Sequence, residues 1–233
     1  MGTIAESTAE RFKISRKAQD DYALQSYEKA CAARDGGLFR REIVPVEIDT
    51  GGVFKADERP RGISINELSR IPPAFKPGGS ITAGNSPAPA DGAAMLILAS
   101  ERALTKFRMA PVARIIGYAS AAVDPKMTFT SPSLAIKRCL KASSINLSDV
   151  VLFEINEAFA VLALLTVKEL GLDTKRLNIF GGTIALGHPL GASGARGLVT
   201  LLNALKTQKK KVGVTCVCLG GGCAVSLAVR KLP

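Results

Sequence analysis

The first pattern of apolar and polar positions along the chain is helical. From Ser15 to Ala33, small or apolar side chains recur at four-residue spacing, and the Ser15 hydroxyl can accept a hydrogen bond from the first turn. The pair Gly36–Gly37 ends the pattern. The sequence therefore predicts a helix over 15–33. The positions that share one face of this helix are Ala18, Tyr22, Ser26 and Ala30.

A loop-rich region follows this helix. Between Thr50 and Pro89 the chain is dense in glycine, proline, serine and charged residues, and only Ile65–Ser69 has a helical pattern. Such stretches run over the protein surface and often carry binding residues.

Beyond Asp91 the pattern changes to alternating strands and helices. The predicted strands are Ala93–Ala99, Val112–Tyr118, Val150–Ile155, Leu177–Phe180, Val212–Leu219 and Ala224–Arg230. The predicted helices are Glu101–Phe107, Pro132–Ala142, Ala158–Leu170 and Gly191–Leu205. From Val112 onward the order is βαβαβαββ. This order predicts an α/β fold in which helices cover a layered sheet.

Composition sets outer limits on this fold. With 233 residues, of which 47% are hydrophobic, the chain can bury one large core or two modest ones. The sequence has no apolar run long enough to span a membrane, and Met1–Ser15 has neither a signal-peptide core nor an arginine-rich targeting helix. We therefore expect a soluble protein with no membrane partner.

The cysteines bear on metal binding and location. The chain has one histidine and its cysteines lack zinc-ligand spacing, so no metal site is expected. Reduced thiols indicate an intracellular compartment, cytoplasmic or mitochondrial. The cysteines are Cys31, Cys139, Cys216, Cys218 and Cys223.

The formal net charge of +11 indicates attraction to polyanions, which could be nucleic acid, an anionic membrane or a phosphorylated cofactor. Nucleic acid is the least favoured, because the chain has no tryptophan, three tyrosines and no recognised nucleic-acid-binding motif. We expect no nucleic-acid partner. The run Lys209–Lys211 precedes a predicted strand and is interpreted as a solvated turn.

Three polar motifs follow predicted strands. The first is Asn156-Glu157-Ala158-Phe159-Ala160, where a buried strand meets an apolar helix. Open α/β sheets bind ligands at the carboxyl ends of their strands. Asn156 either caps the following helix or belongs to a site at this edge, and the motif alone does not choose between the two.

The second motif is the glycine-rich run 181–194, GGTIALGHPLGASG. Dense glycines let the backbone approach a ligand, and the following helix presents unpaired N–H groups to negative charge. His188, the only histidine, lies in this loop, where its imidazole can donate a hydrogen bond to a developing oxyanion. A structural role is the alternative.

The third motif is the run 218–222, CLGGG, at the end of a predicted strand. Cys218 can serve as acid or base, because an apolar site raises a thiol pKa and a nearby cation or N–H dipole lowers it. The glycine N–H groups can form part of an oxyanion hole. The alternative is a buried structural cysteine, which describes Cys216 equally well.

Taken together, the motifs NEAFA, GGxxALGHPxGASG and CxGGG resemble those of the thiolase family. Met1–Glu6, Ile14–Asp20 and Glu42–Val46 are similar to the thiolase loop domain. The resemblance implies a thiolase-like layered α/β fold. Its implied divisions are a loop domain over 1–90, a remnant of the N-terminal-domain sheet over 91–111 and a C-terminal domain over 112–233.

The resemblance also implies residue roles. Cys218 would be the acid/base that moves the α-proton of acetyl-CoA. His188, with a water held by Asn156, would form the oxyanion hole for the enolate, and the Gly220 N–H would serve a second hole at the acyl-enzyme. Coenzyme A would lie over the loop domain as a substrate, with no covalently bound cofactor. Its implied contacts are Arg61, Ser86, Met1, Ala158 and Phe159.

Two segments depart from the family pattern. Where the family has Asn-Ala-Ser-Gly, this chain has the run 85–88, NSPA, so Ser86 would have to replace the serine that meets pantetheine. The family's Met-Gly-x-Gly-Pro is Thr128–Pro132 here, which adds bulk near the expected pocket.

Thiolases also have an N-terminal domain with a nucleophilic cysteine, and by the resemblance this chain begins after that domain. Cys31 and Cys139 lie in predicted helices without an adjoining base. The implied function is acetyl-CoA C-acetyltransferase-type acyl transfer. The chain would carry the acid/base and oxyanion half of the site without the nucleophilic cysteine, so we expect no acyl-enzyme and no thiolysis from the isolated chain. A noncatalytic CoA-binding or subunit-interaction protein is the alternative, and a ketoacyl synthase is less favoured because its site uses two histidines.

The implied partners are acyl-CoA and other thiolase subunits. The chain would form a homo-oligomer or pair with full-length subunits.

Overall fold

A computed structural model describes residues 1–49 and 51–232. Thr50, where the predicted loop-rich region begins, lies outside the described residues. The helices are α1 (Gly2–Phe12), α2 (Arg16–Asp35), α3 (Ile65–Arg70), α4 (Glu101–Phe107), α5 (Ser131–Ala142), α6 (Ala160–Leu170), α7 (Thr183–Leu186) and α8 (Ser193–Thr207). The strands are β1 (Val46–Ile48), β2 (Gly52–Phe54), β3 (Ala113–Ala122), β4 (Leu152–Ile155), β5 (Val212–Leu219) and β6 (Cys223–Lys231).

The main sheet has four strands in the order β3-β6-β5-β4. Strands β4 and β5 are parallel, whereas β6 runs antiparallel to both of its neighbours. Helix α5 lies on the face that carries Cys216, whose thiol approaches the Pro132 carbonyl. Helix α8 lies on the other face, where Gly197 lets it approach Thr215 closely. The predicted α/β architecture, with helices on a layered sheet, is therefore confirmed.

Helix α6 forms the centre of the core. Its first six residues are all apolar, and residues 160–163 and 165 are fully buried. A helix with this pattern is stable only when other elements surround it. The strand residues Phe153 and Ile155 and the helix residue Ile136 belong to the same cluster.

The N-terminal helices pack against this core. The Ser15 hydroxyl caps α2 by accepting a hydrogen bond from the Ala18 N–H, and Tyr22, Ser26 and Ala30 are buried, as the sequence pattern predicts. Helix α1 was not predicted, because its inward face carries mainly small residues rather than large apolar ones. Of the described helices, none is long and apolar enough to span a membrane.

Two predicted strands are wrong. Residues 93–99 form no strand, and Met95 and Ile97 are 86% and 79% exposed. No described strand lies beside this run to supply the backbone partners that a strand needs.

The second wrong prediction is the strand at 177–180. These residues make only one bridge, between Leu177 and Phe153. At Asn178 the backbone has a positive φ of 44°, and its side-chain amide takes over the bonds to Ile155.

Candidate active site

Asn156 follows the last residue of β4 and carries a buried amide that has no hydrogen-bond partner among the described residues. Its N–H donates to the Cys216 carbonyl at 2.9 Å, and its side chain is 4% exposed. Neither Oδ1 nor Nδ2 forms a hydrogen bond with any described residue. Asn156 does not cap the helix, because α6 begins at Ala160 and has Phe159 at its N-cap. A buried amide left unpaired is costly, so this group is suited to hold a water or a ligand.

The neighbouring acid, Glu157, has a structural role. Its buried carboxylate accepts hydrogen bonds from the Tyr22 hydroxyl, the Asn178 amide and the Ser26 hydroxyl at 2.8 Å, and from the Ile184 N–H at 3.0 Å. These bonds tie α2 and the glycine-rich loop to the end of β4. Glu157 thus fixes the positions of the first two motifs relative to each other.

The other acid beside Asn156, Glu154, is buried beneath α8. Its Oε1 lies 3.2 Å from an Arg196 guanidinium nitrogen. Burial raises the pKa of Glu154 to about 8, with the Arg196 charge opposing that rise. The carboxyl is therefore largely protonated at pH 7.

His188 is held on both its backbone and its ring. The His188 N–H donates to the Ala88 carbonyl at 2.9 Å. Its Nδ1 lies 2.6 Å from the hydroxyl of Ser193, the first residue of α8. Partial burial, and next the charge of Arg196, lower the His188 pKa below its usual 6.5. The imidazole is neutral at pH 7 and can donate from one nitrogen only.

Cys218 lies near the end of β5, opposite Ala224 on β6. Burial raises the pKa of its thiol to about 11, so the thiol is protonated at neutral pH and suited to donate a proton. Cys216 is buried more deeply and lies against α5, so the two cysteines of this strand differ in access.

The glycines after Cys218 make the hairpin turn between β5 and β6. Gly221 and Gly222 have positive φ angles of 82° and 98°, which other residues rarely adopt. Gly220 is exposed at the start of the turn. A side chain at Gly220 would meet no other atom within 4 Å, so the turn leaves open space at this residue.

The segment 85–88 connects the first two motifs. The Asn85 carbonyl accepts from the Ala160 N–H at 3.0 Å, and the Ala88 carbonyl accepts from the His188 N–H. Between them, Ser86 is 8% exposed and its hydroxyl has no hydrogen-bond partner among the described residues. The segment between α6 and the His188 loop thus carries a second buried polar group with no hydrogen-bond partner among the described residues.

Three aromatic rings form a wall beside these groups. Phe159 lies 6.1 Å from Phe75 and 5.6 Å from Phe129, between ring centroids. Gly2 packs against the Phe75 ring, which brings the N-terminus, with its half-exposed Met1, next to this wall. Phe129 is 1% exposed, so the bulk predicted for segment 128–132 is packed inside the core.

The cysteine turn joins the same region. The Thr128 hydroxyl lies 3.5 Å from the Leu219 carbonyl. The Asn156 N–H is bonded to the Cys216 carbonyl on β5. Cys218 lies two residues, or about 7 Å, further along the same strand. The Asn156 amide and the Cys218 thiol therefore lie at the same end of the sheet, and segment 85–88 links the His188 loop to the helix that follows Asn156.

The remaining predicted contacts differ in their placement. Ala158 is half-buried, and its N–H bonds to the Asn156 carbonyl at 3.0 Å. Arg61 is exposed beside α3, and among the described residues it forms no hydrogen bond or ion pair with the three motifs.

Sequence reasoning missed Ser193, although its position in the helix that starts directly after the His188 loop was a usable signal.

This fold and these motifs define a member of the thiolase family. The model for the thiolase C-terminal domain matches residues 109–231, and the model for the thiolase N-terminal domain matches residues 1–102. The chain belongs to this family. The chain is 46% identical to acetyl-CoA acetyltransferase 1 of Arabidopsis thaliana over 236 residues, covering 99% of this chain and 57% of that protein.

Solved structures agree with this assignment. The acetyl-CoA acetyltransferase of Bacillus anthracis superposes with a TM-score of 0.96 at 41% identity, over 100% of this chain and 60% of that one. Human mitochondrial 3-ketoacyl-CoA thiolase in complex with CoA superposes with a TM-score of 0.93 at 37% identity, over 99% of this chain and 58% of that one. The chain thus spans less than two thirds of each of these relatives.

Proposed function

We propose that this chain carries out the enolate-forming half of a thiolase reaction on acyl-CoA. The observation that carries the proposal is the buried Asn156 amide, which lacks a hydrogen-bond partner among the described residues and lies at the same end of the sheet as Cys218. Core packing does not require such a group. A water-assisted oxyanion hole does require it.

The chemistry follows from the protonation states. In enolate formation, the Cys218 thiolate takes the α-proton, an S–H bond forms, and the C–H electron pair moves onto the thioester oxygen. The His188 N–H and a water held by Asn156 stabilise that charge. Because the Cys218 pKa of about 11 favours the thiol, the resting chain is set for the reverse step, in which Cys218 protonates the carbanion.

The full reaction is an acetyl-CoA C-acetyltransferase type of acyl transfer, and it needs a second cysteine to accept the acyl group. We propose that this nucleophile lies outside the present 233 residues, because Cys31 and Cys139 lie within α2 and α5 and, among the described residues, neither thiol is hydrogen-bonded to a histidine or a carboxylate. We also propose the following domain divisions: a loop domain over 1–90, a remnant of the N-terminal-domain sheet over 91–111 and a C-terminal domain over 112–233.

Coenzyme A is the proposed substrate carrier. The solved human relative that resembles this chain contains CoA. We propose that Ser86 and Ala158 meet the pantetheine, with Met1 and Phe159 beside it, and that Arg61 meets the adenosine phosphate. The proposed protein partners are further thiolase subunits. We propose an intracellular location, and the same human relative is named as mitochondrial.

Exchange of α-protons tests the enolisation without needing the second cysteine. The purified chain is incubated with acetyl-CoA in deuterium oxide, and deuterium in the acetyl group is measured by mass spectrometry. We expect exchange above the buffer rate, lost in Cys218→Ala and reduced in His188→Asn. Cys223→Ser is the matched control, since Cys223 lies on the same hairpin and faces away from Cys218.

The outcomes separate the alternatives. Exchange equal to buffer, with CoA binding detected by calorimetry, would favour the noncatalytic CoA-binding protein. An acetylated cysteine after incubation with acetyl-CoA would refute the proposal that the nucleophile lies elsewhere.

A further inference from the structure

Asn85 is fully buried, and each of its polar groups has a hydrogen-bond partner. Its Nδ2 donates to the Asp20 carboxylate at 2.9 Å and to the Ser80 carbonyl at 3.0 Å. Its Oδ1 accepts from the Thr82 N–H at 2.8 Å. The side-chain amide therefore uses both of its donor hydrogens and its oxygen to fix the start of segment 85–88.

Asp20, the acidic partner of Asn85, is itself held firmly on α2. Its side chain is 3% exposed and forms an ion pair with Arg16 at 2.7 Å. The Arg16 guanidinium also donates to the carbonyls of Leu68 and Ile71 at 2.8 Å, at the end of α3. Asn85 is thus anchored to two helices by charge-assisted hydrogen bonds that lie outside the three motifs.

The backbone of segment 85–88 reaches two of the motifs. The Asn85 carbonyl accepts from the Ala160 N–H at 3.0 Å, where the Asn156 motif enters α6. Three residues further on, the Ala88 carbonyl accepts from the His188 N–H at 2.9 Å. One anchored segment therefore contacts both the motif of Asn156 and the loop of His188.

Two prolines limit the flexibility of this connection. Pro87 and Pro89 have fixed φ angles, and each restricts the residue before it to an extended backbone. Pro89 also forms a parallel bridge with His188. Because the segment has few accessible backbone conformations, a displacement of Asn85 moves the Ala88 carbonyl and the His188 loop with it.

We propose that Asn85 is a positioning residue for the oxyanion hole, and that it holds the Asn156 motif and the His188 loop in register. This role rests on the proposed function, in which both groups stabilise one oxyanion. Such donors are effective only when their directions are fixed before the reaction. A displacement of about 1 Å can lower the rate on the order of a hundredfold. Asn85 touches no substrate and acts through the backbone of segment 85–88.

The alternative role for Asn85 is that of a turn residue that only stabilises the fold. The two roles differ in what the loss of its hydrogen bonds changes. A turn residue affects the free energy of unfolding alone. A positioning residue also lowers the rate of α-proton exchange in molecules that remain folded.

The variants Asp20→Asn and Asp21→Asn test the proposal with little change of shape. Both aspartates lie on α2 in i,i+4 ion pairs, but Asp20 is bonded to Asn85, whereas the Asp21 side chain is 40% exposed. At saturating acetyl-CoA, we expect Asp20→Asn to lower α-proton exchange on the order of tenfold. The half-saturating concentration should stay within about twofold, because Asp20 does not meet the substrate. Asp21→Asn should change neither value.

Asn85→Ala removes the positioning side chain itself, and Asn203→Ala is its matched control. Asn203 is also buried and donates to a backbone carbonyl, that of Leu38, at 2.8 Å. At a temperature where both variants are folded, we expect exchange to fall on the order of a hundredfold in Asn85→Ala and to be retained in Asn203→Ala. If Asn85→Ala does not fold, the two aspartate variants decide the question.

Amide hydrogen exchange measures the positioning without any catalysis. In Asp20→Asn, the His188 N–H should lose protection by about tenfold or more, because its acceptor on Ala88 is no longer held. The Val214 N–H, on the strand between β4 and β6, should keep its protection. An equal loss at both amides would assign Asn85 a purely structural role.

Two further results would overturn the proposal. One is α-proton exchange that falls only in proportion to the folded fraction. The other is unchanged protection of the His188 N–H in Asp20→Asn. If the unchanged chain shows no α-proton exchange above buffer, the proposed function fails instead, and the amide measurement still decides whether Asn85 positions the His188 loop.

Discussion

The imidazole Nδ1 of His188 lies 2.6 Å from the Ser193 hydroxyl oxygen, which also lies 3.0 Å from the Pro189 carbonyl. A hydroxyl has one proton, so Ser193 donates either to Nδ1 or to that carbonyl. If Ser193 donates to Nδ1, the ring proton is on Nε2 and can stabilise an oxyanion. If it donates to the carbonyl, the ring proton is on Nδ1. The direction of the Ser193 hydroxyl therefore decides the tautomer of His188, and the proposed oxyanion role requires that Ser193 donates to Nδ1.

Replacing Ser193 should impair enolisation more than folding. In Ser193→Ala, the imidazole loses its only described side-chain partner, and we expect α-proton exchange to fall about tenfold or more. Ser193→Thr keeps the hydroxyl and should recover much of the rate. Thermal unfolding of both variants is the control, and a parallel loss of stability and exchange in both would assign Ser193 a purely structural role.

The pKa of His188 can be measured directly, because it is the only histidine. We expect its proton NMR titration to have a midpoint below 6.5, since burial and Arg196 disfavour the imidazolium. In the chain unfolded by urea the midpoint should return to about 6.5. Because the pKa of His188 is lower in the folded chain than in the unfolded chain, this group adds stability above about pH 6.5. That stability is lost as pH falls through the folded-state pKa. A folded midpoint at or above 6.5 contradicts this.

Cys218 should react slowly with alkylating reagents at neutral pH. With its pKa at about 11, the thiolate fraction at pH 7 is on the order of a hundredfold below that of an ordinary thiol. Alkylation by iodoacetamide, followed by peptide mass spectrometry, should accelerate about tenfold per pH unit up to pH 10. Alkylation at pH 7 as fast as in the urea-unfolded chain would show that the thiol is not buried in solution.

Glu154 should make the fold less stable as pH rises. Burial raises its folded-state pKa to about 8 from an ordinary 4.5, so the folded chain binds the proton more tightly than the unfolded chain does. The contribution of Glu154 to the free energy of unfolding is largest below about pH 4.5. It falls by up to a few kcal/mol as pH rises towards 8.

Thermal unfolding between pH 5 and pH 8 measures this effect. Glu154→Gln should flatten the pH dependence, whereas the exposed control Glu28→Gln should leave it unchanged. An equally steep decline in Glu154→Gln would assign the pH dependence to other groups.

Gly182 should not tolerate a side chain. A Cβ at this position would overlap the Glu157 carboxylate, which is fixed by four hydrogen bonds. We expect Gly182→Ala to lower the free energy of unfolding by about 2 kcal/mol or more. Gly191→Ala, in the same motif but facing open space, should change it by less than about 0.5 kcal/mol. Equal effects of the two substitutions would contradict this account.

Much of the fold follows from local patterns. The helices α2, α5 and α8 and the hairpin β5–β6 lie close to their predicted positions, because apolar periodicity, proline and glycine act over a few residues. The predicted strand at 93–99 failed because an apolar run becomes a strand only beside a partner. The strand at 177–180 failed because Asn178 replaces backbone ladder bonds with side-chain bonds.

The sequence by itself determined the α/β class and the three motifs that carry Asn156, His188 and Cys218, because residue identity and spacing along the chain are local properties. Only the tertiary structure decided which of their atoms are paired. The unsatisfied amide of Asn156, the Ser193 contact of His188 and the burial that raises the Cys218 pKa arise from elements distant in sequence. Burial and hydrogen bonding depend on those long-range contacts, which no single segment specifies.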